Sequence, residues 1–363
     1  VKEEIIMRIP PLVIGDLKAE IPIVQGGMGV GISRSGLAGA VANCKGIGII
    51  SSVQIGFDEP DFGTNTEEAN ERALRKHIRR AREISQNGII GLNIMVAVNN
   101  YNTTAKIAVE EGIDLIISGA GLPTALPGLV EGSKTKIAPI VSSGKAAKVI
   151  CKMWDKRHNR IPDLVVVEGP EAGGHLGYSL EELESGEQDL AEIVKEVIEA
   201  VKPFEEKYNK KVPVIAAGGI YTGEDIAKYL KIGAAGVQMA TKFIATEECD
   251  ASLEYKMEYL KCNKEDIEIV VSPVGMPGRA IKNAFIDKIK KNNEKISKCY
   301  NCLKPCNPKD TPYCISKALI NSVEGNVDEG LLFTGSNGYR LDKIVKVREL
   351  MDELVSDCEK ALE

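Results

Sequence analysis

The chain has 363 residues, 44% of them apolar and 27% charged, with a formal net charge of −6. A chain of that size can bury a sizeable core, and the composition is ordinary for a globular protein. The negative balance excludes the basic footprint of a nucleic-acid binder, and no apolar run approaches the ~20 residues that a membrane-spanning helix needs.

Residues 1–7 show no basic region followed by a long apolar one, so no signal peptide is expected and the reading is cytoplasmic. From residue 21 onward, short apolar runs rich in β-branched residues alternate with helical patterns. Strand-like runs fall at 21–25, 46–51, 89–96, 115–121, 137–143, 164–169, 212–219 and 236–244. Ser33 is placed to cap the first helix, with Leu37, Ala40 and Val41 as its apolar face. The basic helix expected over 67–85 carries Arg72, Arg75, Lys76, Arg79, Arg80 and Arg82, which read as a solvated outer face. Further helices are expected over 104–111, 145–153, 190–201 and 223–231. Strand–helix alternation without hairpin signals between the units predicts a parallel sheet. Eight units in roughly 225 residues predict an α/β fold, a (β/α)₈ TIM barrel.

After the eighth strand the pattern stops. Residues 250–335 read as a mostly helical insertion capping the barrel mouth, with a helix over 252–262, a strand over 267–272 and a turn at Met276-Pro277-Gly278-Arg279. The barrel itself is then 1–249 plus 336–363, closed by an amphipathic helix over 341–362.

The chemistry gathers at the strand ends. The run 164–167, apolar and β-branched, delivers Glu168, Glu171, Gly173, Gly174 and His175 to its C-terminal side. His175 has small neighbours and a side chain suited to moving a proton near neutrality, whereas His77 and His158 sit among charged helix residues and read as solvated. Gly218-Gly219 ends the seventh strand and Gln238-Met239-Ala240-Thr241 the eighth. Exposed backbone N–H groups at these two loops commonly hold a phosphate in this fold. Gly26, Gly27 and Met28 allow a flat ring to approach the first strand end, and Asn93 is a polar residue in an apolar strand end that needs a hydrogen-bond partner.

Gln25-Gly26-Gly27-Met28, Gly91-Leu92-Asn93-Ile94-Met95, Glu171-Ala172-Gly173-Gly174-His175-Leu176-Gly177, Ala217-Gly218-Gly219-Ile220 and Gln238-Met239-Ala240-Thr241-Lys242-Phe243 together resemble the successive motifs of the nitronate monooxygenase family. That family, also called 2-nitropropane dioxygenase, includes the flavin-dependent type II enoyl-acyl-carrier-protein reductases. The resemblance runs over about 10–285 and implies a (β/α)₈ barrel with FMN. It implies that Gly26, Gly27 and Met28 line the flavin ring and that Asn93 hydrogen-bonds it. Gly173 and Gly174 would pack near the flavin's chain, Gly218, Gly219 and Gln238 to Thr241 would hold its phosphate, and His175 would be the base or acid beside its N5. Glu168 stands where nitronate monooxygenases often have a glutamine in contact with the flavin.

Of nine cysteines, Cys44, Cys151, Cys249, Cys262 and Cys358 are scattered and read as buried thiols. Cys299-x₂-Cys302-x₃-Cys306-x₇-Cys314 is a cluster whose four thiolates suit zinc or an iron–sulfur cluster, with unligated thiols as the plain alternative. The leading expectation for function is oxidation of alkyl nitronates with oxygen. NAD(P)H-dependent reduction of an enoyl thioester and a non-catalytic flavin sensor are the alternatives. The expected partner is a small-molecule substrate, without nucleic acid or membrane, and a homodimer stays open.

Overall fold

The computed structural model describes residues 9–273 and 275–363, so the reading of residues 1–7 lies outside the described residues. Eight parallel strands close into a barrel: β1 (Ile23–Gln25), β2 (Ile47–Ser51), β3 (Ile89–Met95), β4 (Leu115–Gly119), β5 (Lys136–Val141), β6 (Val165–Glu168), β7 (Val214–Ala217) and β8 (Gly236–Met239). Each strand pairs with its sequence neighbours, and β8 returns to β1 through Gln238 opposite Val24. Side chains alternate across every strand, which divides the core in two. Val24, Ile47, Ile49, Leu115, Ile117, Val166 and Ile215 fill the interior. Ile50, Ile116, Val165, Val167 and Ala216 face outward against helices. Burial on both faces is why these strands read as unbroken apolar runs.

Helices α1 (Ser35–Asn43), α2 (Thr66–Ser85), α3 (Tyr101–Glu110), α4 (Gly144–His158), α5 (Leu190–Tyr208) and α6 (Gly223–Lys231) cover the outside. Ser33 does not cap α1. It is buried, and its hydroxyl accepts the Met28 N–H at 2.8 Å, holding the loop after β1. The cap comes from far along the chain. The Asp250 carboxylate accepts the backbone N–H groups of Arg34, Gly36 and Leu37 at 2.8, 3.0 and 3.1 Å. A carboxylate on three otherwise orphaned donors at a helix N-terminus is stabilising on both hydrogen-bond and dipole grounds. Asp250→Ala is therefore expected to cost about 2 kcal/mol or more, read as a lowered urea midpoint. An unchanged midpoint would show that water replaces the cap at no cost.

One expectation about α2 needs correction. His77 is not solvated: it faces α1, with Nδ1 2.9 Å from Ser35 Oγ, and burial lowers its pKa to about 4. The arginines lie on the outer face as expected, most of them exposed, and pair along the surface. Arg75 reaches Glu110 and Glu111, Arg79 reaches Glu111, Arg82 reaches Asp114, and Arg72 pairs with Asp61. Arg75, Arg79 and Arg82 latch α2 to the far end of α3 and the residue before β4, which sequence periodicity does not place beside it, while Arg72 ties α2 to the loop before it; each exposed pair is worth at most about 1 kcal/mol. His158, at the end of α4, is half-buried, its Nε2 3.1 Å from Thr124 O.

Upstream of the strands read from the sequence, Leu12–Ile14 and Leu17–Ala19 form a hairpin about Gly15 and Asp16. Its Leu12, Ile14 and Ala19 join the interior cluster, and Asp16 pairs with Lys136 at the start of β5, so the hairpin closes the barrel's N-terminal end. Beyond β8 lie helices α7 (Leu253–Lys261), α8 (Ala284–Lys291) and α9 (Ile315–Val323). This stretch also holds sheet. Ile267–Val271 pairs antiparallel with Pro277–Ile281, which in turn pairs with Gly174–His175. Met276–Arg279 is thus mostly strand, the turn being closed by Ser272 N to Met276 O at 3.1 Å. The last helix, α10 (Val347–Leu362), starts later than its apolar pattern predicts. Val345 instead bridges to Thr246, and Glu248 accepts the Val347 N–H at 2.9 Å.

Candidate active site

The C-terminal ends of the eight strands open on one cavity of about 410 Å³. All fourteen residues singled out for catalysis or cofactor binding line it: Gly26, Gly27, Met28, Asn93, Glu168, Gly173, Gly174, His175, Gly218, Gly219, Gln238, Met239, Ala240 and Thr241. Strand order alone brings them together, because every parallel strand of a closed barrel delivers its C-terminal end to the same face.

One wall is a shelf of backbone. Gly26 donates to Met239 O at 2.8 Å, tying β1 to β8. A Cβ on Gly27 would stand 2.4 Å from Asn93 Cβ, so only glycine lets the β1 end lie against β3. The Asn93 amide makes a single long contact, Nδ2 to Ile117 O at 3.4 Å, and keeps its remaining hydrogen-bonding capacity for the cavity.

The opposite corner gathers the turns after β7 and β8, where the sequence leads one to expect an anion. Gly218 and Gly219 hold φ of +97° and +77°, a conformation that favours glycine at the turn after β7. A loop at 334–338 packs over them. Gly335 donates to Thr241 Oγ1 at 3.1 Å, Asn337 Nδ2 to Gly219 O at 2.8 Å and Ser336 N to Glu171 O at 3.1 Å. The Ser336 hydroxyl is buried and has no hydrogen-bond partner among the described residues. The Glu171 carboxylate overlies Gly219, and the half-buried Arg279, whose guanidinium donates to Ala172 O, faces it with opposite charge. Sequence reading left 334–338 without a role. Its Thr-Gly-Ser-Asn-Gly run, rich in turn formers and exposed donors, is the signal that would have found it.

His175 is held, not mobile. Gly174 and His175 form a two-residue strand against Gly278 and Arg279. The ring's Nε2 lies 2.6 Å from Ser272 Oγ, and its edge meets the Phe333 ring at 5.0 Å. Burial lowers its pKa to about 4, so the imidazole is neutral at physiological pH. Ser272 and Phe333 come from the segment after the barrel, and nothing local in the sequence joins them to His175.

Glu168 ends β6 and lines the same cavity. Its backbone carbonyl accepts Tyr178 OH at 2.7 Å, but among the described residues its carboxyl has no hydrogen-bond partner, and burial raises its pKa to about 7. The sign follows from linkage. An unfolded glutamate ionises near 4.5, and the folded one resists until about 7. Stability from this group is full below 4.5, is lost as pH rises from 4.5 to 7, and is level above that. Glu168→Gln is expected to remove up to about 3 kcal/mol of that pH dependence, seen as urea midpoints at pH 5 and 8 that converge. An equal drop in both proteins would place the effect elsewhere.

The cysteine cluster lies apart from the cavity. Cys299 is exposed, Cys302 and Cys306 are half-buried and Cys314 is buried. Among the described residues, no three histidine, cysteine or carboxylate groups are placed to hold a metal ion as they stand. No described helix is long and apolar enough to cross a membrane.

Taken together, the cavity can seat a flat polar ring on a glycine shelf, an anionic tail at the β7–β8 corner and a small substrate beside a neutral imidazole. The sequence model of the family described as nitronate monooxygenase matches residues 11–357. A (3aS,4S,5R,7aS)-5-hydroxy-7a-methyl-1-oxo-octahydro-1H-indene-4-carboxyl-CoA dehydrogenase of Mycobacterium tuberculosis is 23% identical, covering 93% of both chains. A probable nitronate monooxygenase of Staphylococcus saprophyticus is 25% identical over 80% of this chain and 83% of its own. Among solved structures, FabK from Thermotoga maritima superposes with a TM-score of 0.72 at 26% identity, covering 95% of this chain and 94% of that one.

Proposed function

The chain belongs to the nitronate monooxygenase family and is an oxidoreductase, and from that premise we propose that it binds FMN and oxidises alkyl nitronates with oxygen. The observation that carries this reading is the meeting of the glycine shelf, the anion corner and His175 in one cavity. The residues fit the flavin. Gly26, Gly27 and Met28 leave room for a ring, Asn93 has an uncommitted amide to offer it, and the orphaned Ser336 hydroxyl needs an acceptor such as a phosphate oxygen. Gly218, Gly219 and Gln238 to Thr241 would hold that phosphate. Bound FMN would supply one- and two-electron redox chemistry that no side chain here provides.

The protein's own part is positioning and proton handling. With Ser272 at Nε2, the neutral His175 ring is fixed in orientation, and its remaining capacity serves a substrate oxygen or an α-carbon proton. A neutral imidazole receives an anionic nitronate as a hydrogen-bond donor. Phe333, Met276 and Leu319 add apolar wall that keeps water from the reacting atoms.

Reduction of an enoyl thioester by NAD(P)H is the second reading. The observation in its favour is Glu168, a carboxyl that holds its proton near neutrality in the same cavity and could deliver it to a carbanion. Oxygen uptake with propyl nitronate, set against NAD(P)H oxidation with a crotonyl thioester, separates the two. Nitronate loss coupled to oxygen uptake is expected. NAD(P)H-dependent loss of the enoyl thioester without nitronate turnover would replace the first reading by the second.

A further inference from the structure

The four clustered cysteines are used by nothing described so far, and their spacing is one that suits metal-binding thiolates. Cys299-Tyr300-Asn301-Cys302 folds as a tight knuckle. Asn301 takes a left-handed φ of +48°, and its N–H points back at Cys299 Sγ at 3.4 Å. Cys314 occupies the N-cap of the nine-residue α9. The Cys302 thiol bonds the Ser316 side chain from the other side. A backbone N–H aimed at the Cys299 sulfur is an arrangement that a metal-bound thiolate accepts. The four sulfurs also feel one another's charge in every pairing, so they share one small region although fifteen residues separate the first from the last.

We propose that Cys299, Cys302, Cys306 and Cys314 form a tetrathiolate metal centre, occupied by one zinc ion or by an iron–sulfur cluster. On binding zinc, four S–H protons leave to solvent as four metal–sulfur bonds form and no electron is transferred; assembly of a four-iron cluster from ferrous iron and sulfide releases the same protons and also passes two electrons to an added disulfide oxidant, which is reduced to two thiols. The described side chains do not stand at ligand positions. Cys299 is exposed and Cys306 half-buried, which leaves both thiols room to turn toward Cys302 and Cys314 on binding. The consequence reaches the active site through two ties. Cys302 O accepts the Asn99 N–H at 3.1 Å and Lys304 N donates to Ala97 O at 2.9 Å, fastening the knuckle to the loop after β3. On the other side, α9 runs from Cys314 to Leu319, which lines the cavity. The centre would therefore lock one wall of the substrate pocket. This inference stands whether the substrate is a nitronate or an enoyl thioester.

The test is elemental and acid-labile sulfide analysis of the full flavin-loaded chain purified without oxygen. The same analysis follows reconstitution of metal-stripped protein with zinc alone, or with ferrous iron and sulfide. One zinc, or about four irons with matching sulfide, is expected per chain. Cys299→Ser and Cys306→Ser are expected to lower that content at least tenfold, and Cys151→Ser, buried elsewhere in the core, to leave it intact. Because a variant can fail to fold, alkylation of the native wild-type chain gives a second reading. Metal should protect these four thiols from a reagent that reaches Cys299, Cys302 and Cys306 in the stripped protein. Metal below about 0.1 per chain after both reconstitutions, undiminished metal in folded Cys306→Ser, or recovery of the four thiols as disulfides would each overturn the proposal.

Discussion

His175→Ala is expected to lower turnover by about 10²- to 10⁴-fold while the chain keeps its flavin. The separation between the two effects is the informative part. His175 sits on a two-residue strand held by Gly278 and Arg279, away from the Gly218–Gly219 corner proposed for the phosphate, so truncating the ring should leave cofactor affinity nearly unchanged. Its environment bears on chemistry instead. Ser272 at 2.6 Å and Phe333 at 5.0 Å leave the imidazole one orientation, and burial keeps it neutral down to about pH 4. Activity should therefore show no loss from His175 protonation between pH 5 and 9, and any limb near pH 7 belongs to Glu168. Steady-state kcat and bound-flavin absorbance on the same preparations decide it. A loss below tenfold with full flavin content would move proton handling from His175 to Glu168.

Gly218→Ala is expected to cut FMN affinity by about ten- to a hundredfold in a chain that still folds. Gly218 holds φ of +97°, which a Cβ makes unfavourable by roughly 1–2 kcal/mol. That Cβ would meet Ala172 N at 3.0 Å and Gly169 O at 3.1 Å, both backbone atoms that cannot swing aside. The turn must shift, and its N–H groups move off the anion. Gly112→Ala is the control: φ is +69° there, yet nothing lies within 4 Å of the added methyl. Both variants should lose stability, and only Gly218→Ala should lose flavin in equilibrium dialysis. Equal flavin retention in the two would mean that the phosphate is held by other groups.

The two variants also mark different depths of legibility. Gly218 was readable because a glycine pair after an apolar run is a local signal whose meaning the fold supplies. His175 was readable as a candidate for the same reason, but its chemistry was not. Ser272, 97 residues away, and Phe333 decide its tautomer and burial, and neither carries a mark that points to it. Ser33 reads as a helix cap by every local rule, yet Asp250 takes that place from 214 residues downstream and frees Ser33 to hold the Met28 loop. His77 reads as solvated among charges until α1 packs over it.

The barrel was decided by the sequence alone, because strand and helix periods are properties of neighbouring residues and eight repeats leave few ways to bury both faces of the strands. So was the set of strand-end residues, since a parallel barrel sends all such ends to one rim. Tertiary structure alone decided how those residues are tuned: which carboxyl keeps its proton, which imidazole is neutral, and which loop covers the anion corner. Burial and long-range hydrogen bonds set protonation, and both depend on segments such as 267–281 and 334–338. Their contacts reach across the sequence, and local patterns carry no record of a distant partner.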